Sequence, residues 1–202
     1  NNATTLIDAR VVERMSELLS MRLANPSSQH AAGRRARGIL ETAREQILSG
    51  CSARTQGMKS DRLLLTSGGT ESNNLAVLGL AAARPGAVVV SAIEHPSVLA
   101  AAEHLALNGR TVHYVPCSST GIIDLEFLRS LLADVDSPIA CVSVMLANNE
   151  TGVMQPVNEI VGLCGPLGIP VHCDAVQVLG KLPLDFEGLD IDAMTITSHK
   201  LH

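Results

Sequence analysis

The rhythm of apolar and polar positions changes near residue 60 of this chain. Before that point, apolar residues from Asp8 to Met21 recur at helical spacing, and a second helical stretch runs from about Ala31 to Leu48. Asn25-Pro26-Ser27-Ser28 between them is turn chemistry, and the polar, glycine-bearing stretch from Gly50 to Lys59 predicts a loop. From Arg62 onward, short apolar runs alternate with helical patterns. Strands are predicted at Arg62–Thr66, Ala87–Ser91, Thr111–Val115, Ile139–Met145, Val171–Cys173 and Ala193–Thr197. Helices are predicted from about Glu71, after Pro96, from Asp124 and from Pro156. Runs such as Ala87-Val88-Val89-Val90 are apolar on both faces, as in strands covered on both sides. The expected fold is therefore α/β, a mostly parallel sheet with helices on both faces. An N-terminal helical segment and loop over residues 1–60 would precede an α/β domain over 61–202.

Composition narrows the function classes. The chain has 202 residues, 46% apolar and 17% charged, with two Phe, one Tyr and no Trp. The core must be aliphatic, and the aromatic platforms of single-stranded nucleic-acid binders are missing. A net charge of −5 argues against a nucleic-acid partner, and Arg34, Arg35 and Arg37 read as the solvated side of a helix. No apolar run of about 18 residues is present, so no membrane span is expected. The opening Asn1-Asn2-Ala3-Thr4-Thr5 has no charged and apolar leader pattern. Five cysteines, Cys51, Cys117, Cys141, Cys164 and Cys173, are scattered without the spacing of a zinc site or a disulfide framework. No metal and a cytoplasmic setting are the corresponding expectations.

In sheets of this kind ligands bind beyond the carboxyl ends of the strands. The residues there are Ser67-Gly68-Gly69-Thr70-Glu71, Glu94-His95, Asn148-Asn149-Glu150, Asp174-Ala175-Val176-Gln177 and Ser198-His199-Lys200. The Gly68-Gly69-Thr70 turn lets backbone N–H groups and a helix N-terminus approach an anion. It matches neither common nucleotide fingerprint. His95, before Pro96, offers a flat ring at a strand end. Asp174 follows an apolar strand, where a carboxylate needs a partner such as a pyridinium N–H, and Gln177 could reach the same ligand. Lys200, after a buried strand, could serve as a nucleophilic amine, with Thr197, Ser198 and His199 placed for a phosphate. Taken singly, each has a structural reading as a turn, a helix cap or a surface lysine. Together they are the parts that pyridoxal 5'-phosphate needs.

A family resemblance agrees. Asn2-Ala3-Thr4-Thr5, Asn25-Pro26-Ser27-Ser28, Thr66 through Asn74, Glu94-His95, Gly121-Ile122-Ile123-Asp124, Asn148 through Gly152, Asp174-Ala175-Val176-Gln177 and Ser198-His199-Lys200 resemble the cysteine desulfurases. These are fold-type I, class V aminotransferase-like enzymes, to which selenocysteine lyases are similar. The resemblance implies that Lys200 holds pyridoxal phosphate covalently, His95 stacks on its ring, Asp174 pairs with the pyridine nitrogen and Gln177 contacts the phenolic oxygen. It places Asn149 near the cofactor and the substrate carboxylate, and Gly69, Thr70, Thr197 and His199 at the phosphate. His95 is the implied proton shuttle.

The implied reaction takes sulfur from L-cysteine, giving alanine and an enzyme persulfide for a sulfur-acceptor protein, in a homodimer. Iron–sulfur clusters, tRNA thiolation or another pathway remain open as destinations. Selenocysteine lyase, or a truncated inactive homologue acting as a scaffold, are the competing readings. Leu6 and Ser198 depart from the family pattern, where proline and glycine are common. Family members continue beyond the equivalent of His202 through the rest of the large domain, a small domain, a carboxylate-binding arginine and a loop cysteine. The stretch up to His202 is accordingly expected to be inactive alone in sulfur transfer. Cys141, Cys164 and Cys173 are expected to be buried, Cys51 and Cys117 more exposed, and none to be the nucleophile.

Overall fold

The computed structural model describes residues 3–58, 60–134 and 137–201. Asn1, Asn2, Lys59 and His202, which figure in the expectations above, lie outside the described residues. Helix α1 (Ala9–Ser20) starts where Asp8 accepts a hydrogen bond from the Arg10 N–H at 2.8 Å. Its apolar residues Val11, Val12, Met15 and Leu19 are all exposed. The Asn25 side chain and carbonyl accept from the N–H groups of Ser27 and Ser28, forming the predicted turn. Helix α2 (Ala31–Gly50) follows, capped by His30 and burying Gly33 and Ala36.

The remainder is one sheet with its helices. In chain order these are α3 (Gly69–Ala83), β1 (Ala87–Ser91), α4 (Pro96–Leu107), β2 (Val112–Val115), α5 (Leu125–Leu132), β3 (Ile139–Met145), α6 (Val157–Cys164), β4 (Val171–Asp174), α7 (Phe186–Leu189) and β5 (Ala193–Thr195). A short 3-10 turn, Ser198–Lys200, ends the series. The strand order is β2-β1-β3-β4-β5 and every pairing is parallel. Side chains alternate between two cores. Val88 and Val90 pack with Val77, Ala81, Val98, Ala101 and Ala102 of α3 and α4. Val89, Val142 and Cys173 pack on the other side with Leu128, Ile160 and Cys164 of α5 and α6. Val88, Val89 and Val90 are fully buried, each contributing about 1.5–3 kcal/mol. The apolar run at β1 thus reports the middle of a two-sided sheet, as its pattern predicts.

The chain moves outward from β1 to β2, then returns to place β3 on the opposite side of β1. This reversal opens a crevice at the carboxyl ends of β1 and β3, where connecting segments diverge. One predicted strand is absent. Arg62–Thr66 pairs with no strand among the described residues, and Leu64 and Leu65 are 67% and 53% exposed. An apolar run has β tendency, but a ladder also needs a neighbouring backbone, which local sequence does not supply. Among the described residues no helix is long and apolar enough to cross a membrane, and no group of three or more His, Cys, Asp or Glu could hold a metal.

Candidate active site

Nine residues singled out from the sequence, Gly69, Thr70, His95, Asn149, Asp174, Gln177, Thr197, His199 and Lys200, line one cleft of about 430 Å³, whereas Ser198, also expected at a phosphate, is exposed and does not line it. Ala3, Asn73, Ser97, Met145 and Val176 complete its walls. It lies at the carboxyl ends of the strands, at the crevice described above.

The anion-facing side is built by α3. Ser67 donates its N–H and its hydroxyl to Glu71 at 2.6 Å each, tying down the turn before the helix. The helix then begins at Gly69, two residues before the predicted start, with its first N–H groups beside the cleft. A Cβ built on Gly69 would stand 3.5 Å from Val176 Cγ2 and 4.0 Å from Thr197 Cβ. The space beside Gly69 therefore belongs to the cleft, where an anion would meet backbone N–H groups. Thr197 Oγ1 lies 2.9 Å from His199 Nδ1 on the facing turn.

His95 caps α4, and Pro96 occupies the first helical position. Its Nδ1 accepts the Ser97 N–H at 3.2 Å and lies 2.7 Å from Ser97 Oγ. Asp174, 5% exposed, ends β4. Its Oδ1 accepts the Val176 N–H at 3.0 Å, and its Oδ2 accepts from Asn73 Nδ2 at 2.7 Å. Each carboxylate oxygen retains a second acceptor position, so a ring N–H can still be received. Asn149 sits on a turn fixed by Asn148, whose Oδ1 accepts from the N–H groups of Glu150 and Thr151. Gln177 Oε1 accepts from Lys181 Nζ at 2.8 Å. Lys200 is 9% exposed, and no hydrogen bond or ion pair engages its amine among the described residues. The stem is buried in the cleft wall, which leaves the amine available to a ligand in the cleft. The turn holding Lys200 is tied to the N-terminal arm: Thr5 donates its N–H to His199 O at 3.0 Å and its hydroxyl to Leu201 O at 2.5 Å.

Three groups in and around the cleft, His172, Asn73 and Ser97, escape a reading of strand ends alone, and Glu94, which that reading does place there, has a structural role that it does not reveal. Glu94 Oε1 accepts from Ser91 Oγ and, at 2.7 Å, from the Met145 N–H, bridging β1 to β3 directly before His95. Burial pushes its carboxyl up to about 8 despite those two hydrogen bonds, and charged Asp174 adds to the rise. His172, fully buried between Ser143 Oγ and Thr195 Oγ1, is held down to about 4 by burial, so it is neutral at pH 7. Asn73 and Ser97 are the others. Asn73 lies four residues after Gly69 on one helix face, a spacing by which it was findable.

The cysteines divide differently from expectation in one case. Cys117 is exposed, whereas Cys51, expected to be exposed, is buried at 4% like Cys141, Cys164 and Cys173. The carbonyl of Cys51 accepts the Phe186 N–H at 2.8 Å, so the loop after α2 is folded against the domain and covers the thiol. Burial pushes the Cys141 and Cys164 thiols up to about 11 and about 12, and raises those of Cys51 and Cys173 as well. A thiolate nucleophile is disfavoured at all four.

Residues 1–202 match the family described as Aminotransferase class-V. The chain is 40% identical over 205 residues to a cysteine desulfurase NifS of Azotobacter vinelandii, covering 100% of this chain and 49% of that protein. A solved NifS-like protein from Rickettsia africae ESF-5 superposes with a TM-score of 0.82 at 34% identity, over 98% of this chain and 53% of the other. A structure described as SspA in complex with cysteine gives a TM-score of 0.87 at 30% identity, over 98% and 56%. The chain therefore spans about half the length of the curated relatives it matches. Members of the family depend on pyridoxal 5'-phosphate, and the donor set and the Gly69 cradle fit that group. By sequence over its whole length and by fold, this chain belongs to the class-V aminotransferase family.

Proposed function

We propose that the protein to which these residues belong is a pyridoxal-phosphate-dependent cysteine desulfurase. One observation carries the reading: the buried Lys200 side chain, whose amine has no hydrogen-bond partner among the described residues, shares a cleft with an oriented carboxylate, an imidazole and a helix N-terminus. Lys200 would hold the cofactor covalently. Asp174 would accept the pyridine N–H, which its two existing donors leave room for. Gln177 would meet the phenolic oxygen, and Gly69, Thr70, Thr197 and His199 would bind the phosphate. When bound, the group supplies an electron sink that labilises bonds near the substrate α-carbon. Asn149 would orient the L-cysteine carboxylate. His95 would stack on the ring and move protons through Nε2, since Nδ1 is occupied by Ser97.

The net reaction converts cysteine and an enzyme thiol to alanine and an enzyme persulfide, conserving every atom. Its thiol and the substrate-carboxylate arginine are proposed to lie outside these residues: the chain spans about half the length of its relatives, four of the five cysteines here are buried, and the exposed Cys117 does not line the cleft. A homodimer handing sulfur to an acceptor protein in the cytoplasm completes the proposal. The test is borohydride reduction of the full-length protein, followed by peptide mapping and assay of alanine and sulfide from cysteine, with selenocysteine as competitor. We expect the cofactor on Lys200 and equal yields of alanine and sulfur. A Lys200→Ala protein retaining the same visible band sinks the assignment. Preference for selenocysteine redirects it to a lyase.

A further inference from the structure

We propose that Asn73 is a positioning residue that locks Asp174 and His95 into one hydrogen-bonded unit. The proposal rests on the pyridoxal-phosphate reading of the cleft and assigns a group that reading leaves without a role. Asn73 is 1% exposed on α3. Its Nδ2 lies 2.7 Å from Asp174 Oδ2 on β4 and 2.9 Å from Ser97 Oγ on α4. An amide nitrogen has two protons and only donates, so both are committed, one to each partner. Ser97 Oγ, having accepted, keeps its own proton for His95 Nδ1 at 2.7 Å. The Ser97 N–H reaches the same nitrogen at 3.2 Å. His95 Nδ1 is therefore an acceptor twice over, and the ring proton resides on Nε2.

The direction of this chain follows from its ends. Turning the Asn73 amide over would set Oδ1 against the Asp174 carboxylate, acceptor against acceptor. In the orientation found, Oδ1 is buried without a hydrogen-bond partner among the described residues, so the amide is held through Nδ2. Three elements brought together by the fold thus share one relay, Asp174–Asn73–Ser97–His95. The other titratable groups around Asp174 are Glu94 at the end of β1, His172 and Cys173 on β4, and the cleft residues His199 and Lys200.

Removing the Nδ2 donor makes Asp174 more basic. The carboxylate then draws more strongly on the ring N–H proton it accepts, the ring withdraws fewer electrons, and the lysine-linked nitrogen of the cofactor becomes the stronger base. The experiment compares full-length holoenzyme with Asn73→Leu, Ser97→Ala and the double variant, titrating the cofactor's visible band after borohydride mapping of cofactor content. Expected is an upward midpoint shift in Asn73→Leu of about one pH unit, tenfold in the proton equilibrium. Ser97→Ala moves it the same way but less, and the double variant no further than Asn73→Leu. An unchanged midpoint in Asn73→Leu, or shifts that add in the double variant, overturns the proposal. If Asn73→Leu does not fold, an unchanged midpoint in Ser97→Ala overturns it equally. Wild type lacking any band on Lys200 would instead refute the proposed function. The relay is then decided by histidine nitrogen resonances, an Nε2–H tautomer at His95 supporting it and an Nδ1–H tautomer overturning it.

Discussion

Replacing Glu94 with glutamine probes the buried carboxyl that ties the His95 turn to the sheet. Glu94 is 5% exposed, and burial raises its carboxyl from the ordinary 4.5 to about 8. Between those values the unfolded chain is ionised at this residue and the folded chain is not. The unfolded state then binds fewer protons, so stability falls as pH rises through this window, by about 1.4 kcal/mol per pH unit. From about pH 5 to about pH 7.5 the loss attributable to Glu94 is roughly 3 kcal/mol. Above about 8 the folded form ionises too and the loss stops growing. Glutamine keeps an acceptor for the Met145 N–H and Ser91 Oγ, and its amide nitrogen replaces the buried Oε2, which lacks a partner among the described residues. It has no proton to lose. Thermal unfolding of the full-length protein should therefore place Glu94→Gln within about 1 kcal/mol of wild type near pH 5. Near pH 7.5 the variant should be the more stable by roughly 3 kcal/mol, a Tm gap of several degrees. A gap that stays constant across that range refutes a protonated carboxyl at this site.

Two further outcomes follow from the cleft and the thiols. Gly69→Ala should keep both fold and cofactor, because a Cβ there meets only ordinary contacts at 3.5 and 4.0 Å. Gly69→Leu, which fills the cradle, should weaken cofactor binding at least about tenfold in equilibrium dialysis, about 1.4 kcal/mol. Among the five cysteines of the described residues, Cys117 should alkylate rapidly in native protein. The four buried thiols should react only on unfolding, as followed by mass spectrometry, and fast modification of Cys51 would contradict its burial.

The sheet was largely legible because strands covered on both faces must be apolar on both, as Val88, Val89 and Val90 are. Helix starts were legible where the first turn carries its own signal, as at Pro96 and Asp124. Arg62–Thr66 shows the limit: its side chains predict a strand, but among the described residues no backbone meets it. Cys51 shows the same limit for burial, since it is covered by a segment more than a hundred residues later in the chain.

By itself, the sequence determined the α/β alternation and nine of the fourteen residues lining the cleft, because both follow from position relative to a strand end. Only the tertiary structure decided what holds those residues in place. Asn73 and Asp174 are 101 residues apart and meet because α3 packs over the sheet beside α4. Glu94 reaches the Met145 N–H because β3 returns to the far side of β1. Hydrogen bonds act over about 3 Å and depend on which elements become neighbours, which no local pattern of residues encodes.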